Sequence, residues 1–367
     1  MSQTVFLRLL QADDKATALA DAVASLREGH PPNASIHLVG STSFGQVPGS
    51  PFAYWVSDRI RCLFKELQPF ECEGRAAKQG LCTADDFRFL RSWWEVRSSE
   101  TLGLRDNSEC MSLDSVQRRC RQRTFEGKRW VPFSKGGAYS PYYADLDLVA
   151  NWEDNGVEIQ GFSNPQTGRV QSRPRSVSWY FLPGLTWTWR SQRGFNVRAY
   201  PAGSVFAHIG PVAFTKTCEL TPLLGLCNSK VFCCLVSLQM AFGSYPVGVI
   251  HSTPVPDLSR APAATLREYA RSSLGLKCSL DTANETSHVF HLPALLQAPE
   301  GTLAERVASW RLRVGEVDKQ LAENQREIDD IAFRLYGIDD VDRRAIEEGV
   351  ATPTPSDQET EESEDDS

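Results

Sequence analysis

Apolar and polar positions follow three textures along this chain. Residues 12–28, ADDKATALADAVASLRE, place Ala16, Leu19, Val23 and Leu26 at helical spacing after an acidic start, which predicts a helix ended by His30-Pro31-Pro32-Asn33. A short strand is expected from Ser35 to Val39. A second helical pattern runs from Phe52 to Leu67 through Trp55, Ile60 and Leu63, behind the breaker run Val47-Pro48-Gly49-Ser50-Pro51. From about Ile36 to Val255, Gly, Pro, Asn and Ser punctuate short runs rich in Trp, Tyr, Phe and Val. LDLVANWEDNGVEIQGF, VSWYFLPGLTWTWR, FNVRAYPAGSVFAHIG and YPVGVIHSTPVP read as strands and turns, with Asp154-Asn155-Gly156 and Arg193-Gly194 at turn positions. Leu220 to Met240 is too continuously apolar for an exposed strand and predicts a buried helix or a pair of short ones.

The third texture begins at Leu303. Leu303, Val307, Trp310, Val314, Val317, Leu321, Ile328, Ile331 and Leu335 recur at gaps of four and three, with Asn324 in one seam position. The flanks are charged, so the long helix has one narrow apolar seam and needs a partner helix in this chain or another. Asn324 is placed to fix its register. Gly337 is expected to end it, and Asp339 to Glu348 to add a short helix. The expected organisation is α+β. A helical and linker segment occupies residues 1–70 and a mostly-β mixed domain 71–256. A helical region with the heptad helix covers 257–348, and a Thr/Pro-rich, then acidic, disordered tail 349–367.

The net charge of −7 comes from that tail. Residues 357–367 hold seven of the 46 acids and no base, which leaves 39 acids against 39 bases in the body. Within the body the charge is uneven. Arg169 to Pro201 contains six arginines, at 169, 173, 175, 190, 193 and 198, and no acid. That asymmetry points to a nucleic-acid face. No run of 18 apolar residues predicts a transmembrane helix, and MSQTVFLRLLQADD lacks the basic start and long apolar stretch of a signal peptide. The ten cysteines form no C-x-x-C pair and have no clustered His, so they read as reduced apolar fillers of a cytoplasmic protein rather than zinc ligands.

Complete catalytic motifs are missing. There is no G-x-x-x-x-G-K-[ST] and no G-x-S-x-G. Ser140-Pro141-Tyr142-Tyr143 lacks the second proline of the amino-methyltransferase tetrapeptide. The acid pairs Asp85-Asp86 and Glu153-Asp154 read as solvated loop carboxylates. Three segments carry candidate chemistry instead. In GLCTADDFRFLRSWWEV, Gly80 to Val96, Thr83 or Asp85 can cap a helix with Arg88 and Arg91 on one face, either at phosphates or simply solvated over a Trp93-Trp94 core. In KRWVPFSKGGAYSPYYADLDLVANWEDNG, Lys128 to Gly156, Lys135-Gly136-Gly137 offers a cation and closely approachable backbone N–H groups, or only a turn. In Arg169 to Pro201, arginines alternate with aromatics. The aromatics Trp179, Phe181, Trp187 and Phe195 suit a core, and the arginines suit guanine edges and phosphates.

Taken in order, these segments resemble the target-recognition half of large adenine-specific DNA methyltransferases, of the PglX type from BREX phage-defence systems, related to type IIG restriction-modification enzymes. The family stretch Gly-x-x-Thr-Gly-Asp-Asn-x-Arg-Phe-x-Arg-x-Trp-x-Glu-Val corresponds to GLCTADDFRFLRSWWEV. WVPFSKGG, VANWEDNG, GLTWTW, LCNSKV and the closing REIDDIAFRLYGIDD follow in the family's order, and the match runs from about Phe44 to Glu348. Here Ala84-Asp85-Asp86 replaces the usual Gly-Asp-Asn.

The resemblance implies sequence-specific reading of double-stranded DNA, with methyl transfer to a flipped adenine. The family's S-adenosylmethionine-binding domain with Asn-Pro-Pro-Tyr is missing from this chain, which is therefore expected to act as the C-terminal half of a split or truncated enzyme. No cofactor is expected on the chain itself, and S-adenosylmethionine on the catalytic half. Lys135, Gly136, Gly137, Arg190, Arg193 and Arg198 are expected at bases or phosphates, and Arg173, Arg175, Arg88 and Arg91 at the DNA backbone. The Leu303–Leu335 seam is expected to dock on a helix of a methyltransferase partner or on residues 16–26. The rival expectations are a complete enzyme acting alone and a non-catalytic scaffold or decoy that uses the seam to hold other defence components.

Overall fold

The computed structural model describes residues 3–9, 12–30, 35–51, 53–103, 112–164, 166–216, 220–240, 243–259, 262–299 and 301–349. The expected tail past 349 and the Pro31-Pro32-Asn33 break lie outside the described residues. At the N-terminus, strands β1 (Gln3–Leu7) and β2 (Ile36–Gly40) pair antiparallel around helix α1 (Lys15–Arg27), capped by the Asp14 carboxylate on the Ala16 and Thr17 N–H groups. The helical pattern from Phe52 yields a shorter helix, α2 (Asp58–Glu66), because the Ser57 hydroxyl caps it at Ile60 N.

Two four-stranded sheets follow. The elements from here on are, in chain order, β3 (Gln68–Pro69), which lies outside both sheets, β4 (Arg75–Lys78), the single-turn helix α3 (Asp86–Phe89), β5 (Leu90–Ser92), α4 (Leu113–Thr124), β6 (Trp130–Ser134), β7 (Leu148–Asn151), α5 (Glu153–Gln160), β8 (Gly184–Thr186), β9 (Arg198–Tyr200), β10 (Val205–Phe206) and β11 (Val212–Thr215). The first sheet has the order β10-β6-β7-β5 and the second β4-β11-β8-β9. In the first, β5 and β6 flank β7 antiparallel, while β10 runs parallel to β6. Pro132 has no N–H to give, and β10 pairs with β6 only at Phe133 and Ser134, past the proline. Isolated bridges widen this sheet, Leu81 beside Ala207 and Cys82 beside Arg173. Gly80 is required there, since a Cβ on it would sit 1.9 Å from the Phe206 carbonyl oxygen.

The second sheet is buried on both faces, with the period-two alternation this demands. Val212 and Phe214 of β11 enter an aromatic core with Phe133, Trp152, Tyr180 and Phe206. Ala213 between them faces a second core, built with helices α6 (Leu220–Cys227) and α7 (Lys230–Leu238). The apolar run at 220–240 is thus a pair of short helices, bent by 69°. YPVGVIHS, expected as strand, instead forms helix α8 (Val247–Ser252). Its packing on β4, with His251 Nε2 2.8 Å from the Ala77 carbonyl, overrides the β-branched propensity of its valines. A short β12 (Pro254–Val255) then pairs with β3. Among the described residues no single helix is long and apolar enough to cross a membrane.

The C-terminal region comprises α9 (Pro262–Asp281), α10 (Ala294–Gln297), α11 (Leu303–Tyr336) and α12 (Asp340–Gly349). α11 is the heptad helix, with a Thr302–Glu305 capping box at its start and Gly337 in the left-handed conformation at its end. Its seam packs along α9, not on residues 16–26, and its C-terminal half also packs against α6 and α7. The reason is legible at Asn324, whose amide donates to Ser272 Oγ at 3.0 Å and Ser273 Oγ at 3.2 Å. α9 therefore supplies the polar partner that a buried seam amide requires. α9 covers the C-terminal part of the seam most fully, where Val317, Ile328 and Ile331 are buried, while Leu303 at its start is 66% exposed.

Asn228, between α6 and α7, pairs with both backbone groups of Val197, its amide donating to the carbonyl and its oxygen accepting from the N–H. Gln325 of α11 donates to the Asn228 carbonyl and to Asp329, and accepts from the Tyr142 hydroxyl at 2.5 Å. Asp329 accepts from Lys230 N at 2.8 Å. LCNSKV and REIDDIAFRLYG are thus two halves of one buried polar network. Burial raises the Asp329 carboxyl from 3.8 to about 6. The folded state then binds a proton more tightly than the unfolded chain, so the wild type loses stability as pH rises from about 4 to about 6, with a constant penalty above. Asp329→Asn, which keeps the acceptor, is expected to gain stability over wild type across that window, reaching on the order of 2 kcal/mol at neutral pH. Denaturation midpoints at pH 4, 5, 6 and 7 check this, and a difference that stays flat with pH would refute it.

Candidate nucleic-acid interface

β6 and β10 run parallel, so the loops leaving their C-terminal ends, residues 135–138 and 207–210, emerge side by side. The Leu81–Ala207 and Cys82–Arg173 bridges bring two more segments to the same edge. Between them lies a cleft of about 830 Å³, lined by Gly80 to Ala84, Asp86, Lys135, Arg173, Arg175 and His208 among others. All three segments singled out in the sequence contribute to this one cleft.

The 135–138 loop has a defined shape. Gly136 and Gly137 have φ of 97° and 124°, a region that side chains rarely enter. Neither donates its N–H to another described residue. Thr188 Oγ1 donates to the Gly137 carbonyl at 2.8 Å. Beneath the loop lies Arg198, only 4% exposed, with Nη1 donating to the Ala138 carbonyl and Nη2 to Thr188 Oγ1, each at 3.0 Å. No carboxylate pairs with it among the described residues, and burial lowers its pKa to about 10. Arg198, expected at bases or phosphates, is therefore enclosed in the protein, where it shapes the loop.

The other arginines divide in two. Arg173 and Arg175 are exposed at the cleft. Arg175 bonds Gln79, while the Arg173 guanidinium makes no hydrogen bond among the described residues. Arg193 is exposed, 5.8 Å over the Tyr139 ring, and so lies against the same loop. Arg190 is exposed at a bridge to Ser244, next to Trp189, whose backbone N–H donates to the Ile209 carbonyl on the cleft wall. Arg88 and Arg91 have partners within the protein. Only one helical turn forms there, because Leu90–Ser92 is drawn into the first sheet against β7. Arg88 pairs with Glu158 at 2.7 Å and Arg91 donates to the Phe87 and Leu90 carbonyls. Glu158 also accepts from Asn151 at 3.1 Å, so FRFLR and VANWEDNG are tied through one carboxylate. The aromatics of the Arg-rich segment are core, with Phe181, Trp187 and Phe195 buried.

The acids read as solvated have local duties. Asp85 caps α3 at Arg88 N, and Asp86 accepts from both Thr83 Oγ1 and Lys135 Nζ. The cap was readable in the sequence; the Lys135 pairing was not, since the partners are 49 residues apart. His208, which also lines the cleft, gave no sequence signal as a lone His after a strand.

No protein-family profile matches the chain, but it is related to adenine-specific methyltransferases. It is 26% identical over 317 residues to the adenine-specific methyltransferase PglX of Lacticaseibacillus casei (strain Zhang), covering 83% of this chain and 24% of that protein. It is 25% identical over 301 residues to the adenine-specific methyltransferase BrxX of Escherichia coli O9:H4 (strain HS), covering 80% and 22%. The chain thus spans about a quarter of the length of the curated relatives it matches. Among solved structures, the type IIL restriction-modification enzyme MmeI in complex with DNA aligns with 76% of this chain and 35% of its own at 13% identity and a TM-score of 0.42.

One local feature of the cleft is open to a direct test. Ala84, where the family pattern has glycine, has a φ of 63°. A left-handed alanine costs about 1–2 kcal/mol, against about 0.5–1 kcal/mol for the extra chain entropy of glycine. Ala84→Gly is accordingly expected to raise stability by up to about 1 kcal/mol. A lower urea midpoint for the variant would count against a strained loop.

Proposed function

We propose that this chain reads double-stranded DNA as the target-recognition part of an adenine-specific DNA methyltransferase acting in phage defence or restriction-modification. S-adenosylmethionine binding and methyl transfer belong to a catalytic half outside the matched quarter of such an enzyme. The observation that carries the reading is the cleft. It brings Lys135, Arg173 and Arg175 together, and the loop that leaves it after Lys135 carries two glycine N–H groups with no acceptor among the described residues, over an enclosed guanidinium with no carboxylate partner among them. Oriented N–H donors beside cations suit phosphate oxygens. Lys135, Arg190 and Arg193 are assigned to bases or phosphates, Arg173 and Arg175 to the backbone, and Arg198, Arg88 and Arg91 to holding the loop and the α3 turn.

Asp86 makes the reading testable, because it holds Lys135 in the free protein. Affinity for random-sequence duplex is to be measured across a salt series, with and without a co-expressed catalytic half. Affinity is expected to fall steeply with salt, and every phosphate that a cation ceases to neutralise lowers the log–log slope by about 0.9. Lys135→Ala should flatten the slope by about that amount, and Asp86→Asn should tighten binding several-fold by freeing the lysine. Absence of duplex binding under both conditions would remove this reading.

A further inference from the structure

Phe87 is 92% exposed, yet it sits on a turn beside the cleft that is bonded on both sides. Its neighbours are each anchored. Asp86 pairs with Lys135, Arg88 with Glu158, and Phe89 is buried with its ring 5.1 Å from that of Phe162. The Phe87 carbonyl itself accepts from Arg91 Nη1 at 2.6 Å. Asp85 caps the turn from before, and Leu90 continues directly into β5. The backbone therefore has no freedom to fold the ring back into either core. Leaving a phenylalanine in water forgoes about 1.5–3 kcal/mol of burial, and single exposed apolar residues are ordinarily unremarked. This one differs in that its backbone is fixed, its ring is held out in solvent, and it follows Asp86, a residue of the cation-lined cleft.

We infer that Phe87 is a stacking wedge, which inserts against the bases of a duplex held in the cleft and opens one base step. The inference rests on the DNA-reading proposal above. Its chemistry is that of an aromatic face on a nucleobase, which tolerates any base because every base has a π-face. Apolar wedges of this kind unstack a step while phosphate contacts supply the affinity. Lys135, one residue away through Asp86, and the N–H groups of Gly136 and Gly137 would hold the strand that the ring enters. The wedge itself carries no charge, so its contribution separates from the cationic one by its response to salt.

The experiment uses the full chain and random-sequence duplexes carrying 2-aminopurine in place of adenine, whose fluorescence rises on unstacking. Wild type, Phe87→Ala and Phe87→Trp are compared, and the exposure of the site leaves folding of the variants intact. Wild type is expected to raise the fluorescence. Phe87→Ala should bind on the order of ten-fold more weakly, lose the fluorescence rise and keep the salt slope, while Phe87→Trp retains both affinity and signal. If wild type and Phe87→Ala bind equally well, or if binding leaves 2-aminopurine stacked, the wedge is overturned while DNA reading stands. If wild type binds no duplex, the DNA-reading proposal fails and the wedge with it.

Discussion

A guanidinium enclosed with no carboxylate beside it among the described residues sets the terms for the candidate interface. Removing a cation from water costs several kcal/mol, so the protein must meet the donors of Arg198 with well-placed acceptors, here the Ala138 carbonyl and Thr188 Oγ1. Those acceptors belong to the glycine loop and to the residue that also fixes the Gly137 carbonyl. The loop, the end of β8 and the start of β9 are thereby one unit. In a low-dielectric setting the charge is weakly screened, so the enclosed cation adds to the field of the cleft without touching a ligand.

That unit holds its place only because β9 does. Val197, the residue before Arg198, is gripped at both its N–H and carbonyl by Asn228, and Asn228 is in turn bonded by Gln325 of the long C-terminal helix. The same Gln325 accepts from Tyr142, just past the glycine loop. The closing helix, apart in sequence from the Arg-rich segment, thus braces the loop from two sides. Asp329, 3% exposed, completes this arrangement, and its burial is what raises its carboxyl.

The sequence displayed much of this and hid the rest for identifiable reasons. The heptad seam, the Gly337 stop, the broken apolar pair at 220–240 and the α+β character were all legible, since periodicity and caps are local properties. The seam's partner was not. Pairing α11 with α9 depends on Ser272 and Ser273 meeting Asn324 across 52 and 51 residues. At the cleft, Lys135, Arg173 and Arg175 were visible as charges in glycine- and arginine-rich segments, but their convergence depends on a parallel β6–β10 pair that no local pattern announces. Arg198 looked like the other arginines because burial is not written into a strand's alternation when both faces of its sheet are covered. Arg88 and Arg91 looked cationic and free, while Glu158 and two backbone carbonyls already hold them.

The segment from Ser163 to Arg173 has a consequence of another kind. It is a hairpin attached by the Ser163–Val170 and Cys82–Arg173 bridges, with a tip shaped by Asn164, and residues 166–171 are all exposed. This wall of the cleft is held at its base, where Ser172 is buried and donates to the Ile159 carbonyl, while its tip projects away from both cores. The composition and charge of the exposed tip can be exchanged, even its length altered, at little expense to folding. The sheet, the glycine loop and the bracing helix make no use of that tip and stay as they are when it changes.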